Sequence, residues 1–426
     1  MHETIDAFPI QFVPNPAGQP EPAVPECKGR FHAMAKPIGS TCNIDCTYCY
    51  YLHKEQLLDQ HRGRRMGPSM LERYIRQYIE AQNGEEIIFS WQGGEPTMLG
   101  LDFFRDIVAL QKRYRPEGRR IENDLQTNGT LLTDEWCQFL KQHGFLVGVS
   151  IDGPRELHDA YRVDRKGRAT FDGVMRGIAL LRKHGVKFNT LTIVNRQNAK
   201  RPVDVYRFLR NEVSSRYMQF IPCVEPKDFH TVAPQHWLVD SMPMLGSAGA
   251  HPGNRESVVT DWSVDPGDWG YFLSRTFDEW YKNDVGMVVV NLFETAIAQS
   301  MGLPAQTCST AEFCGKALAI EHDGTVYSCD HYVYPEYALG NVMVKHIGTM
   351  AFSERQQQFG YAKCDSLPAY CRQCKHLPVC WGECPKNRLL CTPDSKPGLN
   401  YLCAGIRKFH NHAGPRIRQI AAQLAK

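Results

Sequence analysis

EEIIFSWQGGEPT, residues 85–97, changes character in its middle. Residues 85–91 are apolar, β-branched or aromatic and of strand length, whereas the next six hold Gly93, Gly94 and Pro96, which end a strand and turn the chain. The same change occurs twice more. IENDLQ (121–126) runs into QTNGT (126–130), and FLVGVSI (145–151) runs into SIDGP (150–154). With FHAMAK (31–36), KFNTLTIV (187–194) and RYMQFI (216–221) these make six strand-like runs. Helical patterns lie between them at 69–82, 101–114, 133–143, 169–184 and 202–212. Such alternation suits right-handed βαβ crossovers. It is met equally by an open doubly wound sheet, but three polar motifs that each begin at a strand end gather on one rim, where β/α barrels keep their sites. The expected fold is therefore α/β, a partial (β/α)6 barrel.

The rest of the chain divides around that unit. Residues 1–30 are rich in Pro and polar residues and read as a flexible arm; 31–225 form the barrel. Residues 226–302 supply connecting loops and helices, with an amphipathic helix at 267–283, and 303–426 form a cysteine-rich region with short strands, including a hairpin around Asp323-Gly324. Lys and Arg number 49 against 46 Asp and Glu, a net charge of +3, so no broad basic field calls for nucleic acid. There is no run of about 18 apolar residues and no signal-peptide pattern, so the expectation is a cytoplasmic protein without a membrane partner.

Sixteen cysteines in a reducing compartment point to metal or redox chemistry rather than disulfides. Three of them stand in STCNIDCTYCYY (40–51): Cys42, Cys46 and Cys49, with no fourth nearby. A [4Fe–4S] cluster is normally held by four thiolates, so three leave one iron open to a cofactor. A zinc site completed by a distant His such as His53, or three unrelated buried cysteines, are the alternatives. In the last third, Cys308, Cys314 and Cys329 precede Cys371-x-x-Cys374-x5-Cys380-x3-Cys384 and then Cys403. These are eight thiolates, the number that two closed [4Fe–4S] clusters require, although Cys371-x-x-Cys374 is equally a zinc half-site.

Cys42-x-x-x-Cys46-x-x-Cys49 with Tyr48 resembles the signature of radical S-adenosylmethionine (SAM) enzymes, and Gly93-Gly94-Glu95-Pro96 resembles their segment beside the SAM methionyl amino group. The C-terminal cysteines are similar to the SPASM extension. That resemblance implies Cys308, Cys314, Cys329 and Cys384 on one auxiliary cluster and Cys371, Cys374, Cys380 and Cys403 on a second, three [4Fe–4S] clusters with the SAM-binding one. Cys27, Cys137, Cys223, Cys364 and Cys391 remain, and Cys364 or Cys391 could stand in for a ligand.

From about Phe31 onward the chain is similar to anaerobic sulfatase-maturating enzymes, through AKPIGSTCNIDCTYCYY, WQGGEPTMLG, LQTNGTLL, VGVSIDGP and VYSCDHYVYPEYALGN. The resemblance implies oxidation of a Cys or Ser in a sulfatase Cys/Ser-x-Pro/Ala-x-Arg motif to Cα-formylglycine, with a flavodoxin- or ferredoxin-type electron donor. It also implies site roles: Asp330 as general base, Tyr51, Gln92 and Gln126 on the substrate peptide, and Tyr48, Gly93, Gly94, Glu95, Ser150 and Arg162 around SAM. The alternative is a SPASM peptide maturase forming thioether or carbon–carbon links in a ribosomally made peptide.

Overall fold

Ala33, Ala35, Phe89, Trp91, Leu125, Val147 and Val149 are fully buried. They recur at every second position of their strands and pack one face of the sheet into the core, while the alternate positions include polar or small residues such as Lys36, Ser90, Asp124, Gln126, Gly148 and Ser150. The computed structural model describes residues 28–58, 64–231, 233 and 242–425. Most of the expected N-terminal arm, with Cys27, lies outside these.

Six parallel strands follow in order: β1 (His32–Lys36), β2 (Glu86–Trp91), β3 (Arg120–Thr127), β4 (Leu146–Ser150), β5 (Phe188–Val194) and β6 (Tyr217–Pro222). The helices Pro68–Ala81, Leu101–Tyr114, Asp134–Gln142, Phe171–Lys183 and Pro202–Asn211 connect them. These elements match the sequence reading to within a few residues. β7 (Val289–Val290) continues the sheet beyond β6.

On the other side, β8 (Ala317–Glu321) pairs parallel to β1 over five residues, from His32 beside Ala317 to Lys36 beside Glu321. β9 (Thr325–Tyr327) and β10 (Ala338–Asn341) then extend it antiparallel, giving the order β10-β9-β8-β1-β2-β3-β4-β5-β6-β7. The β8–β9 turn is the expected hairpin: Gly324 takes φ +86°, and the Asp323 carboxylate accepts from Thr325 N at 2.9 Å. This pairing sets β8, within the cysteine-rich region, against β1, the first strand of the parallel barrel.

The sequence reading gave the cysteine-rich region only short strands. The structure adds the helices Glu354–Asp365 and Cys403–Leu424. In the second, buried Ile406, Phe409, Ala413, Ile417 and Ile420 recur at helical spacing, but Gly405, Gly414 and Pro415 mask the pattern because their helix propensity is poor. The glycines are needed. A Cβ on Gly405 would lie 2.1 Å from the Pro266 carbonyl, and one on Gly270 2.6 Å from the Gly405 carbonyl, where this helix crosses Pro266–Asn283. Gly405→Ala is expected to separate the helices and cost about 2–3 kcal/mol, within the usual range for overpacking; thermal denaturation of the protein measures it. Among the described residues no helix is long and apolar enough to cross a membrane.

Candidate active site

The C-terminal ends of the parallel strands converge on the loop that carries Cys42, Cys46 and Cys49. The loop after β2 presses against it. A Cβ on Gly94 would fall 1.9 Å from the Thr41 carbonyl and one on Gly93 2.8 Å from that of Gly39. Gly94 N donates to Gly39 O and Glu95 N to Thr41 O, at 2.8 and 2.9 Å. The Glu95 side chain, fully buried, accepts from Thr97 N, Thr97 Oγ1, Thr127 Oγ1 and Asn128 N at 2.6–3.1 Å. Burial raises this carboxyl's pKa, the four donors offset part of that rise, and they tie the β2 loop to the end of β3. Asn128 reaches on to Asn43 Oδ1 at 2.8 Å and to Cys42 Sγ at 3.8 Å.

A second anchor comes from β4. Asp152, fully buried, accepts from Ile193 N at 3.0 Å, from the Tyr48 hydroxyl and from Arg162 Nε at 3.1 Å. The Arg162 guanidinium lies 5.5 Å from the Tyr48 ring centre and 3.8 Å from Cys46 Sγ. Ser150 Oγ accepts from Gln126 Nε2 at 3.0 Å, and Gln92 sits at the end of β2 with its N–H on Ala35 O at 2.8 Å. The structure therefore brings Tyr48, Gly93, Gly94, Glu95, Ser150, Arg162, Gln92 and Gln126 around one cysteine loop.

Burial pushes the Cys42 thiol up to about 12, with the nearby Glu95 charge adding to it, and Cys49 to about 11. Cys46 is driven higher still by burial, against the pull of Arg162. Arg162, Lys36 and the Asn128 hydrogen bond offset that burial only in part. A cationic iron–sulfur centre deprotonates its thiol ligands outright, so this donor set fits such a group.

Asp330 follows β9 and is buried. Its Oδ1 pairs with Lys36 Nζ at the end of β1, and its Oδ2 accepts from the Tyr50 hydroxyl at 2.6 Å. Burial opposes its charge, but Lys36 and these hydrogen bonds prevail and hold the carboxyl at about 2. Lys36 Nζ also lies 4.5 Å from the ring centre of Tyr51, whose buried hydroxyl has no hydrogen-bond partner among the described residues. Nearby, Lys386 Nζ pairs with Glu225 Oε1 at 2.5 Å and donates to Val224 O at 2.9 Å. Sequence reasoning missed Lys36, Tyr50, Asp152, Asn128 and the Lys386–Glu225 pair. A lysine inside an apolar strand run was the visible signal for Lys36.

The eight C-terminal thiols fall into two groups. Burial and then the charges of Cys308 and Cys384 raise Cys329, and burial followed by Cys308 raises Cys384 to about 12, with Cys314 adding to it. Burial and then Cys371 and Cys374 raise Cys403 to about 12, while Cys380 feels Cys403 and Cys371. Cys371, Cys374, Cys380 and Cys403 also line one mainly apolar pocket with Leu377 and Leu399. Among the described residues no three His, Cys, Asp or Glu side chains gather as ligands of one ion. In a four-iron cluster each thiolate binds a different iron, which holds the sulfurs apart. Cys364 Sγ faces Glu312 Oε1 at 3.9 Å and Cys391 Sγ faces Met242 O at 3.6 Å; Cys137 is fully buried in the core, and Cys223 is buried beside Glu225.

The Radical SAM superfamily matches residues 37–209, and the SPASM iron-sulfur cluster-binding domain matches residues 308–375. A serine-type anaerobic sulfatase-maturating enzyme of Bacteroides thetaiotaomicron is 44% identical over 92% of each chain. A cysteine-type enzyme of Clostridium novyi is 30% identical over 92% of this chain and 97% of its own. The solved structure of native anSMEcpe with bound AdoMet and Cp18Cys peptide superposes with a TM-score of 0.78 at 30% identity, covering 92% of this chain and 99% of that one. With a full-length relative at 44% identity and both metal-binding regions in place, the chain belongs to the anaerobic sulfatase-maturating enzymes of the radical SAM superfamily.

Proposed function

We propose that this protein oxidises a serine, or less efficiently a cysteine, in the Cys/Ser-x-Pro/Ala-x-Arg motif of a sulfatase to Cα-formylglycine. One observation carries the reading: Asp330, next to Cys329, is tied by Lys36 to the end of β1 and by Tyr50 to the residue after Cys49. A carboxylate is thereby fixed between the two thiol regions. Serine is put first because the 44% identical relative is named serine-type, while the cysteine-type relative stands at 30%.

In this reading Cys42, Cys46 and Cys49 hold the SAM-binding cluster, and the two C-terminal groups of four hold the auxiliary clusters. When bound, SAM and the clusters supply a 5′-deoxyadenosyl radical, which takes a Cβ hydrogen, and an acceptor for the second electron. The chain's residues orient and move protons. Gly93, Gly94, Glu95, Ser150, Arg162 and Tyr48 shape the SAM cradle; Tyr51, Gln92 and Gln126 face the peptide, and the Tyr51 hydroxyl, without a partner among the described residues, donates to it. Asp330 takes the hydroxyl or thiol proton. A low carboxyl pKa does not disqualify it, because once the second electron has left, the substrate is a protonated carbonyl or thiocarbonyl and a strong acid. From cysteine the deprotonated product is a thioaldehyde, which water hydrolyses to the aldehyde with release of hydrogen sulfide. Lys36 keeps Asp330 charged until then.

The electron donor in this reading is a flavodoxin- or ferredoxin-type protein, and the compartment is the cytoplasm. The test uses the anaerobically reconstituted enzyme with SAM, dithionite and twin peptides bearing Ser-x-Pro-x-Arg or Cys-x-Pro-x-Arg. Aldehyde is expected from both, with kcat/KM higher for the serine twin by mass spectrometry. If 5′-deoxyadenosine accumulates while both peptides stay intact, the sulfatase reading is wrong.

A further inference from the structure

The last acidic residue of the chain is Asp394; beyond it stand Lys396, Arg407, Lys408, Arg416, Arg418 and Lys426 with no Asp or Glu. Four of these cations lie on the helix Cys403–Leu424, which begins at one of the thiols of the second auxiliary group. Arg416 and His412 are paired with Asp278, each at 2.7 Å. Arg407, Lys408 and Arg418, with Lys375 on the neighbouring segment, are exposed and have no carboxylate within 4 Å among the described residues. Lys375, Arg407 and Arg418 all bear on the same imidazole, His376, which bonds Asn411 at 3.0 Å.

This charge surrounds a thiol. Cys403 and Arg407 line both the pocket shared with Cys371, Cys374 and Cys380 and a wide surface hollow whose other walls include Lys408 and His412. Arg407 donates to the Tyr370 hydroxyl and Lys408 lies 5.9 Å from the Tyr271 ring centre, yet neither contact brings a negative charge, so these like charges repel one another uncompensated. They instead attract an anionic surface from a distance and orient it. Their position over the second thiol group selects an anionic surface with which electrons are exchanged.

We propose that this face is the docking surface of an acidic one-electron carrier protein of the flavodoxin type, at the centre held by Cys371, Cys374, Cys380 and Cys403. The inference rests on the function proposed above, in which SAM cleavage consumes one electron and substrate oxidation returns one. In the docked complex one electron passes between carrier and enzyme: the carrier is oxidised by one unit and the enzyme reduced by one, or the reverse. No bond forms or breaks and no proton is transferred.

The test measures binding of an oxidised acidic flavodoxin to the reconstituted holoenzyme by interferometry, with dithionite-driven peptide oxidation assayed in parallel. The Kd is expected to rise about tenfold between about 50 and about 200 mM salt. Lys408→Glu/Arg418→Glu is expected to weaken binding at least about tenfold at low salt and to flatten the salt dependence. Lys112→Glu, a charge reversal on the distant helix Leu101–Tyr114, is expected to leave binding unchanged. Flavodoxin affinity unaltered in the double variant, with dithionite-driven aldehyde intact, overturns the docking surface and leaves the proposed function standing. Absence of aldehyde with dithionite in the unaltered enzyme overturns the function itself.

Discussion

Replacing Asp330 by asparagine is expected to lower aldehyde formation by about a thousandfold, within the range assigned to a positioned general base, while SAM is still cleaved to 5′-deoxyadenosine. Asparagine has nearly the same shape and still accepts the Tyr50 hydrogen bond, but it takes no proton at neutral pH. The substitution leaves Lys36 buried without its carboxylate, so some loss of stability accompanies it. The two products separate these effects. A misfolded variant loses both deoxyadenosine and aldehyde, whereas loss of the base alone uncouples them. Tyr50→Phe gives the contrast: it removes one hydrogen bond to the carboxylate but leaves the base, and about a tenfold slower aldehyde formation is expected. Equal aldehyde yields per deoxyadenosine in Asp330→Asn and the unaltered enzyme, measured by mass spectrometry, would assign the proton to another group.

Much of the fold was legible because the barrel half is locally consistent. From β1 to β6 each strand run ends in glycine, proline or asparagine, and each helix has its own 3.6-residue period. The cysteine loop and the Gly-Gly-Glu-Pro turn were equally visible, being short and contiguous. What stayed hidden depends on residues far apart in the chain. β8 pairs with β1, some 285 positions earlier, and a five-residue apolar run does not announce its neighbour. The Asp330–Lys36 pair spans a slightly wider gap. Asp152 stood in a quoted motif, SIDGP, yet its partners Tyr48 and Arg162 come from separate loops. The helix that carries Gly405 went unread for the same reason, since what demands a glycine there is the distant Pro266 carbonyl against it.

The contact between the β2 loop and the cysteine loop leads to the other large effect, at Gly94. Gly94→Ala is expected to abolish the SAM-binding cluster alone. Its Cβ would lie 1.9 Å from the Thr41 carbonyl and 2.7 Å from that of Ser40, both backbone atoms that no rotamer change can move aside. The hydrogen bonds Gly94 N to Gly39 O and Glu95 N to Thr41 O run through the same contact, so the loop must part from the residue next to Cys42. The C-terminal thiols are carried on other segments and keep their positions. Iron per chain is therefore expected to fall from roughly twelve to roughly eight, one four-iron cluster fewer, with deoxyadenosine undetectable. Gly118→Ala serves as the control: its φ of +75° strains an alanine by about 1–2 kcal/mol, but nothing among the described residues lies within 4 Å of the new Cβ. It should lower the melting temperature without loss of iron. Full iron content and normal deoxyadenosine in Gly94→Ala would mean that the cysteine loop does not depend on the close backbone contact. The Gly-Gly-Glu-Pro turn would then act on the cofactor by some route other than holding Cys42 in place.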